Sequence, residues 1–377
     1  MMKRQIPFDE IRRWMFDSAL PLWADAGVGS HGFHEALDFH AKPVMLDFKR
    51  TRVTARQTYV FAHAAILGWT PGVALSQLGA ELLDKIYQGP DKGWPRRLTP
   101  ENTTLDPTPD LYDLAFVLFA YAWRFRAAHD RSALAGAHRV VDFIEANMRS
   151  PQGGFLHAIP PTGPRVQNPH MHLLEASLVA YEASGESRFL DLARELVELF
   201  GAHFFNGKTL GEYFDNNWTR LSGSRGREIE PGHHFEWTWI LTQYARLSGD
   251  TTSPQAAALL EFAERTGVDA EGFTFQVVRD DGAHLDRASR TWPNTERIKG
   301  HLALFEALGH DPRAPVAGST RLLLDRYLAT DIRGLWMDHF DAQRKPIAVN
   351  VPASTFYHVF LAFAEVLRLE AGLRALG

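Results

Sequence analysis

The sequence predicts an all-α protein in which six helix hairpins close into a barrel of two concentric helical rings. Three observations carry this. Helical periodicity runs through most of the 377 residues. The helices alternate between some that are apolar all round and others that carry one apolar stripe. The all-apolar helices begin near residues 56, 111, 170, 233, 295 and 355, a repeat of about 60 residues that fits one hairpin plus a loop.

Taken in order, residues 8–24 place Phe8, Ile11, Met15, Leu20 and Leu22 at amphipathic spacing, and the segment 27–32 ends that helix. Residues 33–47 read as loop and short strand. A helix over 55–69 stops at Thr70-Pro71-Gly72, and one over 73–87 stops at QGPDKGW. Helices over 111–129 and 132–148 follow, and SPQGG closes the second. The pattern continues over 167–183, 187–205, 231–247, 254–266, 293–308, 313–329 and 354–373, twelve helices in all.

Residues 111–123 (LYDLAFVLFAYAW), 59–67 and 356–369 are apolar nearly all round, so these helices are buried on every side. In 189–200, Leu192, Leu196, Val197 and Phe200 make a stripe while Asp191, Arg194, Glu195 and Glu198 face away, so that helix lies on the surface. Alternation of this kind is what two concentric rings require. Between the hairpins, glycine-led pieces at 153–160, 211–218, 271–278 and 334–341 read as short β-hairpins at one rim. No Pro/Gly/Ser linker is long enough to mark a boundary, so residues 1–377 read as one domain.

An open α-solenoid would share the helix pairs, but it would not need polar residues at the same end of each buried helix. This chain has them: Arg56 with His63, Tyr112 with Asp113, Asn168/His170/His172, Glu230/His233/Glu236, Asn294/Glu296/Arg297 and Ser354/Tyr357/His358. A closed barrel gathers them at one mouth, where helix N-termini favour polar or negative ligand groups.

Composition narrows the function. A net charge of −5 and a pI near 6.4 argue against a nucleic-acid partner. No apolar run approaches the ~18 residues of a membrane span, and charges interrupt the N-terminal stretch where a signal peptide needs an apolar centre. A soluble cytoplasmic protein is expected. The chain has no cysteine, which excludes disulfides, thiolate chemistry and cysteine-held metals.

The stretch EPGHHFEW puts His233 and Glu236 three apart on the first turn of a helix, so they share a face, while His234 turns away. His172, His233 and His358 are spaced 61 and 125 residues apart, near one and two repeats, and converge on one site. Imidazole and carboxylate at a helix mouth suit proton transfer on a polar ring-shaped ligand. Arg56 would polarise a sugar oxygen and stabilise an enediolate. Trp237 and Trp292 divide between core and sugar platform. His170 and His172 lie about 200° apart round a helix and cannot share an ion there. His233 and Glu236 could, but no HExxH spacing is present, and neither metal nor cofactor is expected. Glu175, Glu230, Glu236 and Glu296 would be candidate acids for glycoside cleavage, the rival chemistry.

The motifs RQTYVFAHAAILGW (56–69), NPHMHLLEA (168–176), EPGHHFEWTW (230–239), WPNTERIKG (292–300) and STFYH (354–358) resemble the N-acylglucosamine 2-epimerase superfamily, most closely its mannose isomerase branch, from about residue 30 to 368. The resemblance implies an (α/α)6 barrel and metal-independent sugar chemistry by proton transfer. It puts the two catalytic histidines on His233 and His358. It puts substrate contacts on Arg56, Tyr112, Asn168, His172, Glu236 and Glu296, while a family arginine falls on Arg220, Arg225 or Arg227. The expected reaction is D-mannose to D-fructose, or D-lyxose to D-xylulose. In it His358 shuttles the proton between C1 and C2, His233 opens the ring and Glu236 orients or tunes His233. A 2-epimerase acting on N-acylglucosamine, glucose or cellobiose, a sugar-binding module, and a mannose-6-phosphate isomerase drawing on Arg220, Arg225, Arg227, Arg287 or Arg290 stand as alternatives. A monosaccharide is the expected partner, and the family makes a homodimer reasonable.

Overall fold

A computed structural model describes residues 5–376, so residues 1–4 and 377 of the expected domain lie outside the described residues. The twelve expected helices all form. Helix α1 runs Phe8–Arg12, passes through a π-helical segment Arg13–Ala19 and continues as Leu20–Asp25. Then come α2 (Thr51–Ile66), α3 (Gly72–Lys85), α4 (Leu111–Ala128) and α5 (Arg131–Asn147). They are followed by α6 (Asn168–Ser184) and by α7 (Ser187–Leu199), which ends in a π-turn at Phe200–Phe204. The rest are α8 (Pro231–Ser248), α9 (Ser253–Gly267), α10 (Thr291–Leu308), α11 (Arg313–Leu322, with a π-turn Leu323–Tyr327) and α12 (Phe356–Arg368). A short α13 (Glu370–Ala375) follows a break at Leu369 that the sequence reading ran through.

The even-numbered helices are the inner ring. Each packs on the next, and α12 packs back on α2, which closes the barrel. Burial follows the sequence pattern. In α8 every residue from Pro231 to Thr242 is buried, whereas α7 buries only Phe189, Leu190, Leu192, Ala193, Leu196 and Leu199. The odd-numbered helices form the outer ring, each against its chain neighbour. The exception is α1, which supplies the outer partner of α12. Trp14 meets Phe363 edge-on at 5.7 Å, and Trp23 stacks on Trp336 at 4.9 Å and packs on Phe356 at 5.8 Å. Truncating a large aromatic in so buried a place costs about 3–5 kcal/mol, so this cluster joins the two ends of the chain firmly.

Inner helices α6, α8 and α10 end on Gly185, Gly249 and Gly309 with φ of 74°, 81° and 71°. This left-handed C-cap turns the chain outward at the far end of the barrel. At the near end, short strands make a collar. The strand before each inner helix pairs antiparallel with the segment after the next outer helix. Lys49–Arg50 pairs with Arg97–Leu98, Arg165–Val166 with Tyr213–Phe214, Glu228–Ile229 with Val277–Arg279, Ser289–Arg290 with His339–Phe340, and Val351–Pro352 with Ala36–Leu37. At α4 the tie is the single bridge Asp110 to Ala158. The sequence reading expected local hairpins in the glycine-led pieces. The piece at 271–278 forms one, its end Val277–Arg279 pairing with His284–Asp286; it and the pieces at 211–218 and 334–341 also reach across to the strand before an inner helix, and 153–160 forms isolated bridges only. Two-residue strands carry too little side-chain pattern to announce a partner. No helix among the described residues is long and apolar enough to cross a membrane.

Candidate active site

Side chains from the first turns of all six inner helices line one cavity of about 280 Å³ at the collar end. An adjoining cavity of about 310 Å³ shares Arg52, Tyr112, Asn168, Glu230 and His233 with it. Together they fall within the size range of small-molecule sites, roughly 300–1,000 Å³. The positive ends of six helices point at this space.

His233 stands at the start of α8, after the N-cap Glu230 and with Pro231 fixing the first turn. Its Nδ1 donates to Glu212 Oε2 at 3.0 Å, and its Nε2 lies 3.9 Å from Glu230 Oε2. Gln167 Nε2 donates to the same Glu212 oxygen at 2.9 Å, and Trp237 Nε1 donates to Gln167 Oε1 at 2.7 Å, which locks the arrangement. Burial alone would discharge the imidazole. The Glu212 and Glu230 carboxylates outweigh it and raise the His233 pKa to about 10, so the ring is an imidazolium at neutral pH.

His358, on the first turn of α12, is the opposite case. Its Nδ1 is 2.8 Å from Glu296 Oε1, and among the described residues none bonds its Nε2. Burial, with Arg56 and Lys299 nearby, holds its pKa well below the usual value and keeps it neutral. His172 is also neutral: burial brings it to about 4 despite a 3.1 Å contact between its Nδ1 and Glu175 Oε2. Its ring stands edge-on to Tyr112 at 4.9 Å. Arg56 is buried, donating from Nη2 to the Tyr112 hydroxyl at 2.6 Å and from Nη1 to the Ser354 carbonyl at 3.1 Å.

Trp292 lies between the two histidines, its ring 5.2 Å from His233 and 5.7 Å from His358. Gly232 makes room for it, because a Cβ there would sit 2.5 Å from the indole. Asn168 lines both cavities, and its Oδ1 has no hydrogen-bond partner among the described residues.

Of the two parts expected of Glu236, it is among the carboxylates that raise the His233 pKa, but the bond that orients the ring comes from another residue. That role falls to Glu212. Glu236 lies one turn deeper, 3.9 Å from His172, with one carboxylate oxygen unpartnered. Burial and the neighbouring Glu296 raise its pKa well above normal, so it is a neutral carboxylic acid. Glu296 likewise serves His358 through its 2.8 Å contact and does not line the cavity. Trp237 is core, stacked on Phe200 at 4.5 Å. His63 is stacked on Trp123 and lines a separate cavity toward the C-terminal ends of the inner helices. His170 and His234 accept backbone N–H groups from Phe155 and Leu210. Asn294 caps backbone and Arg297 pairs with Glu264. Arg220, Arg225, Arg227 and Arg287 line neither mouth cavity. Besides Arg56, the mouth arginines are Arg50, Arg52 and Arg290, each paired with a carboxylate: Glu35 at 2.7 Å, Asp113 at 2.7 Å and Asp338 at 2.9 Å.

Three groupings bring imidazole and carboxylate donor atoms within 4.8 Å of one another: His172/Glu175/Glu236, Glu212/Glu230/His233 and Glu236/Glu296/His358. The third closes on Lys299, whose ammonium is 2.6 Å from Glu296 Oε2. Sequence reasoning missed Glu212, Gln167, Lys299, Arg50 and Arg52, while Arg290 was among the arginines it offered for a phosphate. Glu212 heads a glycine-led rim piece and Gln167 directly follows the strand that pairs with it. A lone polar residue beside each half of one strand pair was the available signal.

Residues 32–362 match the model of the N-acylglucosamine 2-epimerase (GlcNAc 2-epimerase) family. The chain is 33% identical over 371 residues to a Rhizobium meliloti protein named mannose-6-phosphate isomerase, covering 95% of this chain and 96% of that one. It is 28% identical to the D-mannose isomerase of Thermobifida fusca, with 93% of each covered. A solved D-mannose isomerase superposes with a TM-score of 0.86 over 96% of this chain and 97% of the other, at 21% identity, which establishes the shared (α/α)6 fold. An (α/α)6 barrel with histidines in opposite charge states at its mouth, among such relatives, is a sugar isomerase or epimerase. The chain belongs to the N-acylglucosamine 2-epimerase family.

Proposed function

We propose that the enzyme is an aldose–ketose isomerase that interconverts D-mannose and D-fructose, with D-lyxose and D-xylulose as a second pair. The observation that carries this is the pair of histidines flanking Trp292, one an imidazolium and one a neutral imidazole. Two titratable groups pushed apart in this way divide into acid and base.

The closed pyranose opens first. His233 gives its Nε2 proton to the ring oxygen as the O1 proton leaves, and Glu230, 3.9 Å from that nitrogen, is the nearby acceptor. His358 Nε2 then takes the C2 proton. The C2 electron pair forms the C1–C2 double bond, the aldehyde oxygen gains a proton, and a cis-enediol results. Arg56 and neutral His172 stabilise the charge developing on the oxygens. Return of the proton from His358 to C1, with loss of the O2 proton, gives the ketose. Glu236, held as a neutral acid at the cavity wall, is positioned to exchange the hydroxyl protons. Trp292 offers its face to the C–H side of the sugar, and Asn168 and Tyr112 hold hydroxyl groups.

The relative named mannose-6-phosphate isomerase supports a phosphorylated substrate as a second reading, and Arg50, Arg52 and Arg290 are the cations that would serve it. Each is already neutralised by its carboxylate partner, which favours the uncharged aldose. Incubation with mannose or mannose 6-phosphate in D2O containing EDTA, followed by NMR, tests both readings. Fructose with deuterium at C1 is expected from mannose. Glucose in place of fructose would replace isomerisation with epimerisation, turnover of the phosphate ester alone would reverse the substrate preference, and turnover only on adding a divalent metal would overturn the metal-free reading.

A further inference from the structure

Lys299 is the one lysine among the described residues that is wholly shut from solvent, on α10 one turn below Glu296. Its Nζ is 2.6 Å from Glu296 Oε2 and stands 4.3 Å above the centre of the Trp239 ring, with Tyr357 on another side at 5.9 Å. The other oxygen of Glu296 meets His358 Nδ1 at 2.8 Å. A chain of charge therefore runs from ammonium to carboxylate to imidazole. Around it lie two more buried carboxylates, Glu175 and Glu236. Glu175 is already held by His172 and by the Tyr357 hydroxyl at 2.7 Å.

Even with Glu236 held neutral, two carboxylates so near one another in a dry interior, Glu175 and Glu296, are costly to keep ionised without a cation. A divalent ion would be one solution; here Lys299 supplies the positive charge, 2.6 Å from Glu296 Oε2. Its effect on Glu296 decides the chemistry at His358. An ionised Glu296 can only accept a hydrogen bond, so His358 carries its proton on Nδ1 and has a lone pair on Nε2. A protonated Glu296 could donate to Nδ1, and the proton would move to Nε2, where it blocks abstraction from carbon.

We propose that Lys299 is a positioning residue whose buried ammonium keeps Glu296 an acceptor, and that Glu296 thereby fixes His358 with Nδ1 protonated and Nε2 bare toward the substrate. The proposal rests on the reading of His358 as the base. Its ammonium takes the place that a structural metal would fill among these carboxylates. Neither the resemblance nor the spacing of the motifs pointed to it.

The test begins with the unaltered enzyme labelled with 15N in histidine. The His358 signals should show a protonated Nδ1 and an unprotonated Nε2 at pH 7; the reverse tautomer would overturn the proposal. Lys299→Met and Lys299→Gln, checked for native circular dichroism, should lose kcat on mannose by about 100-fold or more, within the usual contribution of a general base, while KM stays within about threefold. Their His358 signals should shift to the Nε2-protonated form. Since the chain has no cysteine, Lys299→Cys offers a single thiol, which 2-bromoethylamine converts to thialysine before refolding; this should restore activity. Either uncharged variant that keeps wild-type kcat and tautomer would sink the role of Lys299. Failure of the underlying reading looks different: His358→Asn would retain turnover whatever stands at 299.

Discussion

The two histidines of the mouth are built alike and behave oppositely. Each bonds a buried carboxylate through Nδ1, His233 to Glu212 at 3.0 Å and His358 to Glu296 at 2.8 Å. The difference lies one residue further out. Beyond Glu212 there is a neutral amide, Gln167, and a second carboxylate, Glu230, so negative charge is in excess and His233 keeps its proton. Beyond Glu296 there is an ammonium, with Arg56 on the cavity side, so the carboxylate is already balanced and His358 stays neutral. An imidazole–carboxylate pair is thus not an acid or a base by itself. The next charge outward makes it one or the other.

The largest expected effect tests the base side. His358→Asn should lower kcat for mannose about 10,000-fold, the upper end for a lost general base, and should abolish exchange of the C2 proton with D2O by NMR. His233→Asn should lower turnover of mannose by about 100–1,000-fold. Its effect on isomerisation of glyceraldehyde, which has no ring to open, should be under about tenfold; an equal loss on both substrates would remove the ring-opening role.

Smaller changes sharpen the contrast without deleting either ring. In the native enzyme kcat/KM should hold through neutral pH and fall only as pH rises through about 10, where His233 loses its proton. Glu212→Gln removes the first of the carboxylates that keep it charged, so this limb should move down by about 1–3 units, read from the pH–rate profile. An unmoved limb would assign it to another group. Gly232→Ala should cost about tenfold in kcat/KM by pushing Trp292 from its place between the histidines, since a Cβ would come within 2.5 Å of the ring.

The fold was largely readable before any coordinates. Inner helices such as α4 and α8 are buried on every side and announce it by composition, and outer ones such as α7 announce their exposure by a stripe. The residues facing the cavity from helix starts, His233, His358, His172, Arg56 and Asn168, were legible because the repeat puts them at the same phase. What supports them was not. Glu212 comes from a rim segment 21 residues before His233, and its role depends on a strand pair too short to leave a pattern. Lys299 sits in a helix whose hydrophobic periodicity gives no reason for a buried cation. Glu236 lines the cavity as expected, but the bond to His233 falls to Glu212, because sharing a helix face says nothing about depth along the cavity, and one helical turn separates the two layers.

The collar has a consequence for the order in which the molecule becomes an enzyme. Val351–Pro352, just before α12, pairs with Ala36–Leu37, just after α1, and Trp14 and Trp23 of α1 close on Phe363 and Phe356 of α12. His358, the base of the proposed reaction, rides on that last inner helix. A nascent chain that has released five of its six inner helices carries His233 and Trp292 but no proton shuttle, and its first helix has no partner. Catalytic competence and the sealing of the ring arrive together, in the same docking event.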